Sequence, residues 1–157
     1  MTNLEKYEKI IAHIRRVEQN CCTLAKVFIN DNKPKFALEL IRRGRMHDLS
    51  KFELFEFENL WDWEPAFKTA LKHHHINNSH HPEHHEFGVN WMSDMDIAEM
   101  VCDMAARSSE FGTDVREFIF GEFAKKHGFS KDDYVGAQIT RFLNLLLAPP
   151  FKEPSGV

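Results

Sequence analysis

Residues 34–51, PKFALELIRRGRMHDLSK, decide how the rest of the chain is read. Pro34 suits the first turn of a helix, where its missing N–H is not needed. From there to position 47 the residues fall at helical spacing. Phe36, Leu40 and His47 share one face, and Ala37, Ile41, Gly44 and Asp48 share the adjoining one. The segment predicts a helix over 34–47 that delivers a histidine and an aspartate, side by side, to its apolar side. A carboxylate there is costly unless something binds its charge. A metal ion would satisfy both groups, imidazole being the commonest protein ligand for transition metals. Gly44, one turn earlier, would let a neighbouring helix approach closely.

Upstream, Leu4, Tyr7, Ile10, Ile14, Val17, Cys21, Leu24 and Phe28 recur at three- and four-residue steps, which predicts a helix over 4–29. His13 lies at the edge of that stripe. Asn30 to Pro34 reads as the turn that ends it. Downstream, Ser50 followed by Glu53 has the spacing of a capping box, expected to start a short aromatic helix over 51–61. Pro65 is expected to open a helix over 65–77, in which Phe67, Leu71, His74 and Asn78 share a face and His74 points inward.

The stretch 72–87, KHHHINNSHHPEHHEF, holds seven of the ten histidines. Asn77, Asn78, Ser79 and Pro82 break it into a loop after the helix. His73 and His75 face other directions, toward supporting positions or solvent, and His84 and His85 are expected near a pocket entrance. Ser93 or Asp94 can cap a helix over 94–108, with Ile97, Val101, Met104 and Ala105 as its core stripe and Asp103 at the edge, beside Met100 and Arg107. Helices over 114–126 and 131–147 complete the chain, the last packing through Val135, Ile139, Phe142, Leu143 and Leu146. Residues 149–157 read as an irregular tail. The expected fold is all-α, a compact single-domain bundle of six to seven helices over 1–148.

Composition narrows the function. The 157 residues are 43% hydrophobic, with 14 Phe, enough for one domain with a full core. A net charge of −4 argues against a binder of long nucleic acid, which would ordinarily be basic. It leaves room for a small anionic substrate held by local cations. No apolar run approaches the roughly 20 residues of a membrane span, and MTNLEKYEKI has no apolar signal core. Cys21, Cys22 and Cys102 form no spaced framework, so reduced thiols in a cytoplasmic compartment are expected.

The ordered set His13, His47-Asp48, His74 and Asp103 resembles the HD-domain metal-dependent phosphohydrolases. In these a histidine on the first helix precedes a His-Asp doublet ending the second and an Asp on a later helix. HDLSK (47–51) is similar to the superfamily's HD-x-x-K variant. More narrowly, HIRRV (13–17), HDLSKF (47–52), HHHINNSHH (73–81) and EMVCD (99–103) resemble a family of small HD-like phage and bacterial proteins of uncharacterised function. The resemblance covers about residues 10–108. It implies an HD-like helical fold and His13, His47, Asp48 and Asp103 as metal ligands. His74 and one of His80 or His81 would complete a second site.

Such ligand sets would hold one or two divalent transition metals, Mn, Fe, Co, Ni or Zn. Asp48, with two oxygens, is the natural bridge, and a metal-bound water the nucleophile. Lys51 and Arg107 are candidate phosphate contacts. The expected activity is a phosphohydrolase acting on a nucleotide or related small phosphate ester. An oxygen-activating di-iron enzyme on the same scaffold and a metal-stabilised binding protein are the alternatives. Homo-oligomerisation is left open.

Overall fold

In the computed structural model, which describes residues 1–148, helices and turns make up the chain, and no strand occurs among those residues. Helix α1 spans Asn3–Asn30 and α2 Pro34–Met46. A 3-10 turn, Leu49–Phe52, leads to α3, Leu54–Asn59. Next come α4, Phe67–Asn77, and two further 3-10 turns, Pro82–His84 and Gly88–Trp91. Helix α5 spans Asp94–Phe111. Helices α6, Val115–Phe118, and α7, Ala124–His127, are joined through a π turn at Ile119–Phe123 into one kinked rod, and α8 spans Tyr134–Leu146. With that rod taken as one element the bundle has seven helices among the described residues. The all-α expectation holds. The proposed tail, 149–157, lies outside the described residues.

α1, α2, α5 and α8 form the frame. α1 packs along α2 and against α5, and α8 closes on α5 and α1. Val17, Leu24, Leu40, Ile97, Val101, Ile139 and Phe142 are buried between them. Gly44 is the contact that permits the α1–α2 approach. A Cβ there would meet Cys21 Cβ at 2.7 Å and Glu18 Cα at 3.2 Å, so no larger residue fits without moving the helices apart.

Several local readings need correction. The α1 stripe begins at Ile10, because Leu4 and Tyr7 are exposed. Lys6 is buried instead, its Nζ donating to the Glu58 carbonyl at 3.2 Å and lying 5.7 Å from the Trp61 ring. Ser50 and Glu53 make no capping box. Ser50 sits inside the 3-10 turn, and its hydroxyl donates to Glu56 at 2.9 Å. The burial of Glu56 draws Ser50 inward and leaves α3 without a side-chain cap. α4 begins at Phe67 rather than at Pro65, and α8 at Tyr134, where Asp133 accepts from the Gly136 N–H. Ser93, not Asp94, caps α5 through a capping box with Asp96. That helix runs one turn past the expected end at 108, to Gly112 in the left-handed conformation.

Candidate metal centre

α2 stops at Met46, so the His47-Asp48 doublet lies just past the helix and not within it. His47 is extended, and Asp48 adopts the left-handed conformation at φ 54°. An L residue there costs roughly 1–2 kcal/mol, least for Asn and Asp. The turn folds both side chains back into the interior. His47 is 1% and Asp48 2% exposed.

Four other elements aim at the same point. His13 comes from α1, His74 from α4, His80 and His81 from the loop after α4, and Asp103 from α5. His47 Nε2 lies 3.3 Å from Asp48 Oδ2, and His13 Nε2 lies 3.0 Å from Asp103 Oδ1 and 3.7 Å from Asp48 Oδ2. On the opposite side of the same carboxylate, His74 Nε2 is 3.2 Å and His80 Nε2 3.4 Å from Asp48 Oδ1. His80 Nε2 is also 3.7 Å from Asp103 Oδ2.

Ligand atoms all within 4.8 Å of one another form three groups, of which one, His47, His80 and Glu99, runs across the other two. Of those two, the first set is His13, His47 and Asp103, and the second is Asp48, His74, His80 and His81. Asp48 turns Oδ2 to the first set and Oδ1 to the second. His80 and His81 both belong to the second set, where the sequence reading chose one of them.

The histidines are held from behind. His13 Nδ1 donates to Glu110 at 2.9 Å, His47 Nδ1 to Glu99 at 2.9 Å and His74 Nδ1 to Glu56 at 2.9 Å. A carboxylate on Nδ1 fixes the ring and leaves the Nε2 lone pair for a metal. In front, Nε2 of His13, His47, His80 and His81, Oδ1 of Asp48 and Oδ1 of Asp103 are buried without a well-formed hydrogen bond. Buried polar atoms are nearly always partnered. A convergent group of orphans, all of them metal-ligand types, fits divalent cations. These buried residues could hold a metal ion.

The electrostatics agree. Asp48, Asp103, Glu56, Glu99 and Glu110 outnumber the cations beside them, Lys51, Arg43 and, on the solvent side of Glu110, Arg107. Lys51 Nζ lies 2.6 Å from Asp48 Oδ2, and Arg43 pairs with Glu99 and Asp96. Burial pushes the Asp48 and Asp103 carboxyls up, but His47 and Lys51 around Asp48, and His13 and His47 around Asp103, hold both well below the usual range. Burial likewise opposes ionisation of Glu99, and bonds from His47 and His80 hold its carboxyl down. Burial disfavours a charged His47, yet Asp48, Asp103 and Glu99 hold its imidazole well above the ordinary value. Without a metal, a proton on His47 supplies part of the missing positive charge. His81 behaves oppositely. Burial, then the neighbouring His80, push it far down, so it is a neutral donor.

The remaining histidines have other tasks. His73 Nδ1 donates to Glu56 at 2.7 Å, beside His74 on the same carboxylate. The His75 ring centroid lies 4.4 Å from that of His81. His84 and His85 tie the loop together rather than opening it to a pocket. They donate to the carbonyls of Ile76 at 2.6 Å and Ser79 at 2.8 Å. Arg107 is not beside Asp103 as an ion pair. It faces solvent and donates to Glu110 at 3.2 Å. A polar cleft of about 190 Å³ runs from the surface to Asp48, His80 and Glu99, past Arg42, Arg43, Asn77, Asn78 and Ser79.

Sequence reasoning missed the supporting carboxylates. Glu99 stands one turn before Asp103, and Asp96, Glu99, Asp103 and Glu110 follow three-, four- and seven-residue steps along one helix face. That acidic row on an otherwise apolar helix was a usable signal. Glu110 lay beyond the expected end of the helix. Glu56 gave no signal in the sequence, since the histidines it holds come from α4.

Fold and site together define an all-helical domain built round a buried histidine–carboxylate centre. Residues 58–135 match the model of a family of unknown function, DUF5662. The matched stretch carries His74, His80, His81, Glu99, Asp103 and Glu110, while His13, His47, Asp48 and Glu56 lie before it. No curated protein and no solved structure matches the chain. Among the described residues no helix is long and apolar enough to cross a membrane.

Proposed function

We propose that this chain is a metal-dependent phosphohydrolase acting on a small phosphate ester, a nucleotide being the expected class. The observation that carries the reading is the Asp48 carboxylate between two donor sets, Oδ2 toward His13 and His47 and Oδ1 toward His74 and His80. Two divalent ions, Mn, Fe, Co, Ni or Zn, are the proposed cofactors, held by His13, His47 and Asp103 on one side, by His74, His80 and His81 on the other, and by Asp48 between. Such a pair supplies an activated water and charge neutralisation for in-line displacement at phosphorus.

The chain's own residues supply orientation. Glu110, Glu99 and Glu56 fix the rings of His13, His47 and His74. Lys51 places its ammonium on Asp48, where a phosphate oxygen could take over the contact as a point-charge partner. Arg42, Arg43, Asn77, Asn78 and Ser79 line the polar cleft with donors. At about 190 Å³ the cleft is smaller than the roughly 300–1,000 Å³ of drug-sized sites. It suits a phosphate group entering first, with the rest of the substrate lying across the rim. Arg107, held by Glu110 in solvent, is not among the cleft residues and is left out of the phosphate contacts.

The test is to strip the protein with chelator and reload it with each of the five metals. Release of phosphate or pyrophosphate, or opening of a diester, is then followed across a nucleotide panel. Turnover with redox-inert Zn supports hydrolysis. No turnover with any metal overturns the proposal. Oxygen uptake by the iron form alone would point to the oxidative alternative, and tight nucleotide binding without turnover to a binding protein.

A further inference from the structure

Three carboxylates back the ligand histidines, and they are not equivalent. Of the histidines Glu110 takes His13 alone, of the first donor set. Glu56 takes His74, of the second, together with His73, which belongs to neither set. Glu99 differs. Its Oε1 lies 2.9 Å from His47 Nδ1 and 3.3 Å from His80 Nδ1. His47 belongs to the first set and His80 to the second. Their ring centroids are 4.4 Å apart. One oxygen on α5 thus faces one ligand of each metal subsite.

The other oxygen of Glu99 is occupied by Arg43 Nε. The same guanidinium reaches Asp96 Oδ1 at 2.7 Å and Ser79 Oγ at 2.6 Å. Ser79 immediately precedes His80 in the loop. Arg43 therefore pins both the carboxylate and the chain segment that carries the second-set ligand. Glu99 is 4% exposed, so water does not compete for its oxygens. A carboxylate oxygen can accept two hydrogen bonds. When one histidine is fixed with its Nδ1–H on Oε1, the carboxylate is fixed too, and the second histidine meets an acceptor already in place.

We propose that Glu99 is a positioning residue that couples the two metal subsites, so that filling one organises the other and the pair binds cooperatively. This rests on the two-metal reading above. Glu110 and Glu56 serve one subsite each. Replacing a carboxylate behind a metal-bound histidine ordinarily costs 10–100-fold in metal affinity. The consequence is a pattern: one supporting glutamate whose loss is felt at both metals, and two whose loss is felt at one.

The experiment titrates Mn²⁺ into chelator-stripped protein. Calorimetry reads the binding, and electron paramagnetic resonance reads spin-coupled pairs against isolated ions. Wild type should fill both sites together, with coupled pairs already present at one Mn²⁺ per chain. E99Q, close in shape, should weaken both metals by about 10–100-fold and give isolated ions at one equivalent. E110Q and E56Q should each weaken one metal and leave the other within a few-fold. R43M leaves the histidines and Glu99 in place and should reduce cooperativity with a smaller loss of affinity. Circular dichroism of each stripped variant checks that the helices persist. Should E99Q prove unfolded, R43M carries the test, and independent binding in wild type overturns the coupling regardless. Loss at one metal alone in E99Q also overturns it. Wild type that takes up one Mn²⁺ or none refutes the two-metal reading itself, a result distinct from two metals binding independently.

Discussion

The two donor sets are built by different kinds of structure. His13 and Asp103 stand on α1 and α5, and His47 follows directly on α2, three long helices whose packing forms the core. His74, His80 and His81 come from a short helix and the loop after it, within a run of 3-10 turns between residues 49 and 91. The backbone that carries the first set is positioned by burial of apolar surface, and Glu110 and Glu99 then orient its rings. The second is positioned by polar ties: His84 to Ile76, His85 to Ser79, Arg43 to Ser79, and Ser50 and His74 to Glu56. A rigid helical frame supplies one half of the centre, and a hydrogen-bonded strap supplies the other. Asp48, at the junction of frame and strap, belongs to both.

That division can be broken at its joint. Asp48→Ala removes the carboxylate that the two sets share, one oxygen each, and metal analysis after gel filtration should find both ions lost. Retention of one at full affinity would place Asp48 in a single set. Selective loss is the next effect in size. His13→Ala should release the first ion and His81→Ala the second, with a smaller loss at the remaining site because its partner ion is gone. Each release should exceed the roughly 10–100-fold expected from removing a supporting carboxylate, and competition with a chromogenic chelator would measure it. Equal loss of both ions in both variants would show that the halves are not separable in this way.

The frame can be strained without touching a ligand. Gly44→Ala places a Cβ against Cys21 and Glu18, and overpacking of this kind costs about 1–3 kcal/mol. Urea unfolding of the chelated protein should show it as a lower midpoint. An unchanged midpoint would mean the helices separate freely there.

A smaller effect concerns pH. Asp48, Asp103 and Glu99 sit below their ordinary range in the folded protein. Their contribution to stability is full above about pH 4, the unfolded carboxylate range, and is lost as pH falls through the folded values. His47 is raised, so its contribution is full below about pH 6.5 and is lost as pH rises through its folded value. On the two-metal proposal, a bound metal would take over from that proton. The gap in melting temperature between loaded and chelated protein should therefore widen from about pH 6 to about pH 8. A gap that narrows over the same interval would contradict protonated His47 as the stand-in.

The same contrast explains what could be read in the sequence. Helical periodicity placed the frame and put His13, His47 and Asp103 on or at the edge of its buried faces, because a 3.6-residue repeat dictates which face is buried; that the three meet was implied by the family resemblance alone. Periodicity carried His74 as well, through α4. It could not place His80 and His81, since a loop's course is set by partners distant in sequence, here Arg43 and the carbonyls of Ile76 and Ser79. The turn at Asp48 escaped for a related reason. Left-handed backbone at a non-glycine residue is held by its surroundings rather than by its own preference. The supporting glutamates form the largest gap. Glu56 and Glu110 show no role in the sequence until the histidines they hold are seen beside them.

The central claim is that one aspartate joins two metal subsites. Anomalous diffraction from crystals of the Mn- or Zn-loaded protein tests it most directly. The account predicts two peaks about 3.5–4 Å apart, one among His13, His47 and Asp103, the other among His74, His80 and His81, with Asp48 touching both. A single peak, or metal found only on the outer histidines His73, His84 or His85, would contradict it.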